Sequence, residues 1–144
     1  MSTEENKATT RRFFKVVFNQ GNLAVVDEIK SSNYVFHDPG LPEPVRGPEG
    51  FKDYLMMFRT AFPDLSSTIE DLIVEGEKVA VRFTFAGTQQ GDLFGIPPTG
   101  KQATVSAILI ARLVNGKFVE GWINYDGLGI LQQLGAIPVP EQAS

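Results

Sequence analysis

The stretch Gln102-Ala-Thr-Val-Ser-Ala-Ile-Leu-Ile-Ala-Arg-Leu-Val-Asn115-Gly116-Lys117-Phe-Val-Glu-Gly-Trp-Ile-Asn-Tyr125 decides the fold of this chain. Asn-Gly between alternating hydrophobic residues is a strong hairpin signal, because both turn positions must take a positive φ. The stretch therefore predicts a long strand over 102–114, a turn at Asn115-Gly116 and an antiparallel return over 117–125. At Asp126-Gly127 it runs into a short C-terminal helix. Strand side chains alternate between faces. Glu120, Trp122, Asn124 and Asp126 are thus expected on one face and Val119, Ile123 and Tyr125 on the other. Polar groups flanking a tryptophan suit the lining of a ligand cleft. They also suit a solvated edge, with Asp126 capping the helix that follows it, and both readings stand at this level.

Upstream, the period is helical. Ser2-x-x-Glu5 matches a capping box, and Phe14, Val17 and Phe18 recur at helical spacing. Asn19-Gln20-Gly21-Asn22 breaks that helix, and Asn22 is expected to cap a second one through Ile29. A brief strand over 33–37 ends at His37-Asp38-Pro39-Gly40, where Asp38 reads as a turn former. After a proline-rich loop, Gly47-Pro48-Glu49 opens a third helix carrying Phe51, Tyr54, Leu55 and Phe58, which stops near Phe62-Pro63-Asp64. The period then changes to two, with strands over 67–74 and about Val79–Phe85, and a long connection over 88–100. Helices first and strands after them predict an α+β fold, three helices packed on one face of a curved mixed or antiparallel sheet around a pocket. The whole of 1–144 is expected to be a single domain.

The bulk numbers exclude several functions. With 13 basic against 17 acidic residues, a net charge of −4 and no basic cluster beyond Arg11-Arg12, neither nucleic acid nor an anionic membrane is an expected partner. The absence of cysteine excludes disulfide and thiol chemistry, and a single histidine leaves too few ligands for zinc, so no metal site is expected. No apolar signal segment or membrane-spanning run is read, and a cytoplasmic location is the expectation. Gly95-Ile-Pro-Pro-Thr-Gly100-Lys101 has the spacing of a phosphate-binding loop. Gln102 stands where a hydroxyl is required, however, and the two prolines lack the N–H groups that cradle phosphate.

What remains is acid–base chemistry. Partial burial of Asp126 among Trp122, Tyr125 and Ile130 would raise its pKa and let it exchange protons near neutrality, whereas a plain helix cap would not. His37 is the one side chain of a type whose unperturbed pKa lies near neutrality, and is either a proton carrier or a loop-stabilising residue. Arg82 is read as structural, paired with Glu120 or Asp71, and Phe94, Ile96 and Pro97 as an apolar lid or a surface for a partner subunit. Strand 102–114 is apolar on both faces, Val105, Ala107, Leu109 and Ala111 against Ile108 and Ile110, which predicts a homodimer through the sheet.

The chain resembles the SnoaL-like polyketide cyclase family, within the cone-shaped nuclear-transport-factor-2-like (NTF2-like) superfamily. The resemblance rests on Arg12-Phe13-Phe14, Asn19-Gln20-Gly21-Asn22, Phe36-His37-Asp38-Pro39, Gly47-Pro48-Glu49-Gly50 and Ala61-Phe62-Pro63-Asp64-Leu65. It continues through Gly87-Thr88-x-x-Gly91 and Gly95-Ile-Pro-Pro-Thr-Gly100 to Glu120-x-Trp122-x-x-x-Asp126-x-Leu128-Gly129-x-Leu131-Gln132-Gln133-Leu134-Gly135. Where many members carry Glu-His-Trp, this chain reads Glu120-Gly121-Trp122. The resemblance implies intramolecular aldol ring closure of a small apolar carbonyl compound without metal or cofactor, Asp126 being the general acid/base. His37 is the second catalytic candidate, and Trp122, Asn124, Phe14, Tyr34 and Phe62 are the expected substrate contacts. Ketosteroid-isomerase-like proton transfer, epoxide hydrolysis and a non-catalytic ligand-binding or dimerisation module are the alternatives.

Overall fold

The computed structural model describes residues 2–138, so Met1 and residues 139–144 of the expected 1–144 unit lie outside the described residues. Helix α1 (Thr3–Arg12) opens with the predicted box, the Ser2 hydroxyl accepting from the Glu5 N–H at 3.1 Å and donating to its carboxylate at 3.0 Å. It continues into a π-helical segment, Phe13–Asn19, whose wider turn buries Phe13, Phe14 and Val17 together. Helix α2 (Ala24–Ile29) begins later than expected, with Leu23 at its N-cap and no side-chain cap. Asn22 is engaged in closing the π-helical end instead, its N–H donating to the Val16 carbonyl at 3.1 Å.

Strand β1 (Lys30–His37) starts three residues before the predicted strand and pairs with a short β2 (Val45–Arg46) that the sequence reading did not identify. Helix α3 (Gly47–Ala61) has Pro48 in its first turn, where a missing N–H costs nothing, and ends before Phe62-Pro63 as predicted. Strands β3 (Ser66–Glu75), β4 (Lys78–Thr88), β5 (Gln102–Val114) and β6 (Lys117–Tyr125) follow, then helix α4 (Gly127–Gln133). The sheet order is β2-β1-β6-β5-β4-β3, with β1 parallel to β6 and the other pairs antiparallel. This is the expected mixed, curved α+β sheet. Among the described residues no helix is long and apolar enough to cross a membrane.

Alternation along β4 and β5 makes the core. Val79, Val81, Phe83 and Phe85 face inward beside Val105, Ala107, Leu109 and Ala111, and meet Phe51, Leu55 and Phe58 of α3. On the outer face Ile73, Ile108 and Ile110 remain 64%, 51% and 41% exposed.

Strand β6 departs from the expected alternation. Arg112 stands opposite Glu120 and Leu113 opposite Phe118, so Val119 is an extra residue, a β-bulge. A one-residue slip sends every later side chain to the opposite face. Phe118 is buried, and beyond the bulge it is Gly121, Ile123 and Tyr125 that turn inward, not Glu120, Trp122 and Asn124. Gly121 suits its place, since a Cβ there would lie 2.8 Å from the Tyr34 hydroxyl.

Candidate active site

The concave face encloses a cavity of about 50 Å³ walled almost wholly by rings, among them Phe14, Tyr34, Phe36, Tyr54, Phe58 and Tyr125. Most meet edge to face, as at Tyr54–Phe58 (5.4 Å), Phe58–Tyr125 (5.9 Å) and Phe36–Tyr54 (5.0 Å), the arrangement that the ring quadrupoles favour. Outside it a larger apolar groove of about 530 Å³ runs over Leu41, Phe94, Ile96, Tyr125, Leu131 and Ile137. Tyr125 is common to both, and Phe94 touches Phe58 edge-on at 6.0 Å, so the groove forms the outer approach to the aromatic cavity.

Asp38 is the charged group bonded to a wall of the cavity, through Tyr54. It is only 7% exposed, although β1 has just ended beside it. One carboxylate oxygen accepts from the Gly40 N–H at 2.8 Å, the turn-forming role read from Asp-Pro-Gly. The other accepts from the Tyr54 hydroxyl at 2.7 Å. Burial first, then the hydrogen bond and charge of Asp38, push the Tyr54 phenol well above its ordinary range. Tyr125 is pushed up in the same direction, by burial and then by the same carboxylate. Both phenols therefore stay protonated as hydrogen-bond donors around one fixed carboxylate. Sequence reasoning read the turn but not the burial of Asp38, yet a signal was present: Tyr34, Phe36 and Asp38 share one alternation, and the first two line the cavity.

The expected site residues are distributed over several places. Phe14 and Tyr34 line the aromatic cavity. Phe62 is buried but is not among the cavity's lining residues; it packs where a Cβ on Gly87 would stand, 2.7 Å away. His37, Trp122 and Asn124 come together in a separate depression of about 260 Å³ formed with Asp38 and the Pro39–Pro44 loop. There His37 stacks on Trp122, centroids 5.5 Å apart and planes 16° from parallel. His37 Nε2 donates to the Glu120 carboxylate at 2.8 Å.

Asp126 is exposed, which corrects the expectation that it is half-buried. It caps α4, Oδ1 accepting from the Gly129 N–H at 2.8 Å, and borders an outer depression with Arg82, Ser106 and Ile108. The bulge at Val119 is the reason: it turns the expected polar face of β6 out of the cone. Arg82 pairs with Asp71 at 2.7 Å, the structural role expected for it.

The sequence reading did not single out Lys30. The first residue of β1, it is 3% exposed, its Nζ lying 4.6, 4.0, 4.2 and 4.7 Å from the ring centroids of Phe13, Tyr34, Phe51 and Phe118. Among the described residues no carboxylate or hydrogen-bond acceptor pairs with it. Burial holds its amine well below the ordinary lysine range. The ring faces oppose this, but a cation–π contact is worth only about 0.5–2 kcal/mol and four rings round one nitrogen do not multiply that fourfold. Loss of water from an unpaired ammonium is the larger effect.

A family model, SnoaL-like polyketide cyclase, matches residues 8–134. Aklanonic acid methyl ester cyclase DnrD of Streptomyces peucetius is 31% identical over 132 residues, covering 86% of this chain and 88% of its own. The corresponding cyclase DauD of Streptomyces sp. (strain C5) is also 31% identical, covering 86% of this chain and 79% of its own. Among solved structures, TsrD from Streptomyces laurentii superposes with a TM-score of 0.85 at 31% identity, over 95% of this chain and 99% of that one. With its helices on the concave side of an open six-stranded sheet, the chain belongs to the SnoaL-like polyketide cyclase family.

Proposed function

We propose that this protein is a cofactor-free cyclase that closes a ring in a neutral, apolar polyketide ester by intramolecular aldol addition, with Asp38 as general base and acid. The observation that carries this reading is a buried carboxylate fixed by two hydrogen bonds, one of them from Tyr54, a wall of the aromatic cavity. Asp38 takes a proton from the activated methylene, the carbanion adds to the facing carbonyl, and the new alkoxide recovers the proton from Asp38. Tyr54 and Tyr125 donate hydrogen bonds to the charge that moves between carboxylate and substrate. A positioned acid–base group supplies about 10²–10⁴ in rate. Folding a flexible chain against the ring walls supplies more by converting a conformational search into a held geometry. Phe14 and Tyr34 are walls of that site. A free substrate carboxylate would be repelled by Asp38, so an ester is preferred.

The resemblance assigns the acid–base role to Asp126, and one experiment separates the two. Aklanonic acid methyl ester, named for two relatives, is incubated with wild type, Asp38→Asn and Asp126→Asn, and a cyclised isomer of unchanged mass is followed by chromatography. Turnover lost in Asp38→Asn and kept in Asp126→Asn supports the proposal. The reverse moves the role to Asp126, and no turnover of this ester by wild type overturns the cyclase reading for this substrate class. We further propose a homodimer through the outer sheet face, supported by the exposed Ile73, Ile108 and Ile110. Light scattering showing a monomer at micromolar concentration overturns it.

A further inference from the structure

Lys30 takes no part in the chemistry above. A lysine brought wholly into an apolar interior without an acid partner is the usual setting of a nucleophilic amine, since only the uncharged form carries a free electron pair. Three of its four caging rings, Phe13, Tyr34 and Phe51, also wall the aromatic cavity. The nitrogen is thus one ring's thickness from that space. We propose that Lys30 is a second reactive centre, an amine that captures small aldehydes and ketones as imines when they enter through the aromatic cavity.

The step balances without a cofactor. The nitrogen lone pair forms a C–N bond to the carbonyl carbon, and one amine proton passes to the carbonyl oxygen to give a carbinolamine. The C–O bond then breaks, the second amine proton leaves with the hydroxyl as water, and a C=N bond remains. Reaching the carbonyl requires one caging ring to swing aside. Phe13, which both lies against the nitrogen and walls the cavity, is the ring that the test addresses. The inference is independent of the cyclase reading, because its probe is a simple aldehyde and its readout is a covalent mass.

The wild-type protein is treated with propanal and sodium cyanoborohydride at pH 6.5 and at pH 9. The hydride reduces any imine to N-propyl-lysine, which is measured at each lysine by peptide mass spectrometry. At pH 6.5 an exposed lysine is uncharged in only roughly one molecule in ten thousand. Lys30 is expected to be labelled at least about tenfold faster than the exposed Lys78, Lys101 and Lys117, and the advantage to shrink at pH 9. In Phe13→Ala, labelling of Lys30 is expected to accelerate further while the exposed lysines keep their rates. Lys30 labelled no faster than the exposed lysines in the wild type overturns the proposal. So does labelling seen only in Phe13→Ala, which would mean a sealed amine in the native protein, and so does a Phe13→Ala variant that folds without accelerating it.

Discussion

Asp38 and Asp126 each follow the end of a strand, β1 and β6, which lie side by side in the sheet; Asp38 precedes Pro39 in a turn and Asp126 precedes Gly127, the first residue of α4. Their surroundings are opposite. Asp38 continues the inward alternation of Tyr34 and Phe36 and ends up nearly dry between tyrosines. Asp126 leaves the sheet after the Val119 bulge and ends up in water, holding the first turn of α4. Both carboxylates accept a backbone N–H two or three residues on, at 2.8 Å in each case. The local motif is therefore nearly the same, and the face of the sheet decides which carboxylate is bonded to a wall of the cavity.

The contrast is broken most directly by turnover. Asp38→Asn should lower it by about 10²–10⁴-fold with the fold intact, whereas Asp126→Asn should leave it within about twofold, measured by cyclised product under identical conditions. A next test probes the packing behind the inward face. Gly121→Ala places a methyl group against the Tyr34 hydroxyl at 2.8 Å and should cost about 1–3 kcal/mol in urea unfolding. An equally stable Gly121→Ala would mean that the inner face of β6 is looser than its contacts imply.

Smaller effects sharpen the same comparison. Asp126→Ala should cost about 0.5–2 kcal/mol of stability and Asp126→Asn almost none, because asparagine caps as well as aspartate. Equal losses in both would show that the charge of Asp126, not its cap, is what the protein uses. The smallest effect is the part of the alkaline pH dependence that comes from the Asp38 side. Tyr54 and Tyr125 have folded pKa values raised by burial and by Asp38, so their contribution to stability is complete below the unfolded tyrosine value of about 10. It is lost progressively as pH rises above that value, because the unfolded chain then releases protons that the folded one retains. Tyr54→Phe should flatten this alkaline decline in Tm relative to wild type. An unchanged slope would remove Tyr54 from the account.

Much of this was legible because it is local. The Asn115-Gly116 hairpin, the Pro48 helix start and the Ser2–Glu5 box each follow from the demands of a few consecutive residues on φ, on N–H groups and on caps. The resemblance likewise survived as family membership, the family model matching residues 8–134. The α+β order, the strand bounds of 102–114 and 117–125, and the shared face of Val105, Ala107, Leu109 and Ala111 could all be read without coordinates.

The site was not legible in the same way, since it depends on pairing between distant strands. Whether Trp122 or Ile123 turns inward depends on Val119 having no partner opposite it on β5, which no alternation rule applied to β6 alone could reveal. That Asp38 meets Tyr54 depends on α3 packing across β1, and that Lys30 is dry depends on four rings from four separate segments closing over one nitrogen. The chain by itself determined the elements, because backbone preferences act over a few residues. Only the tertiary structure decided which polar groups lose their water, because desolvation is a property of everything packed around a group and not of the group's own neighbours in sequence.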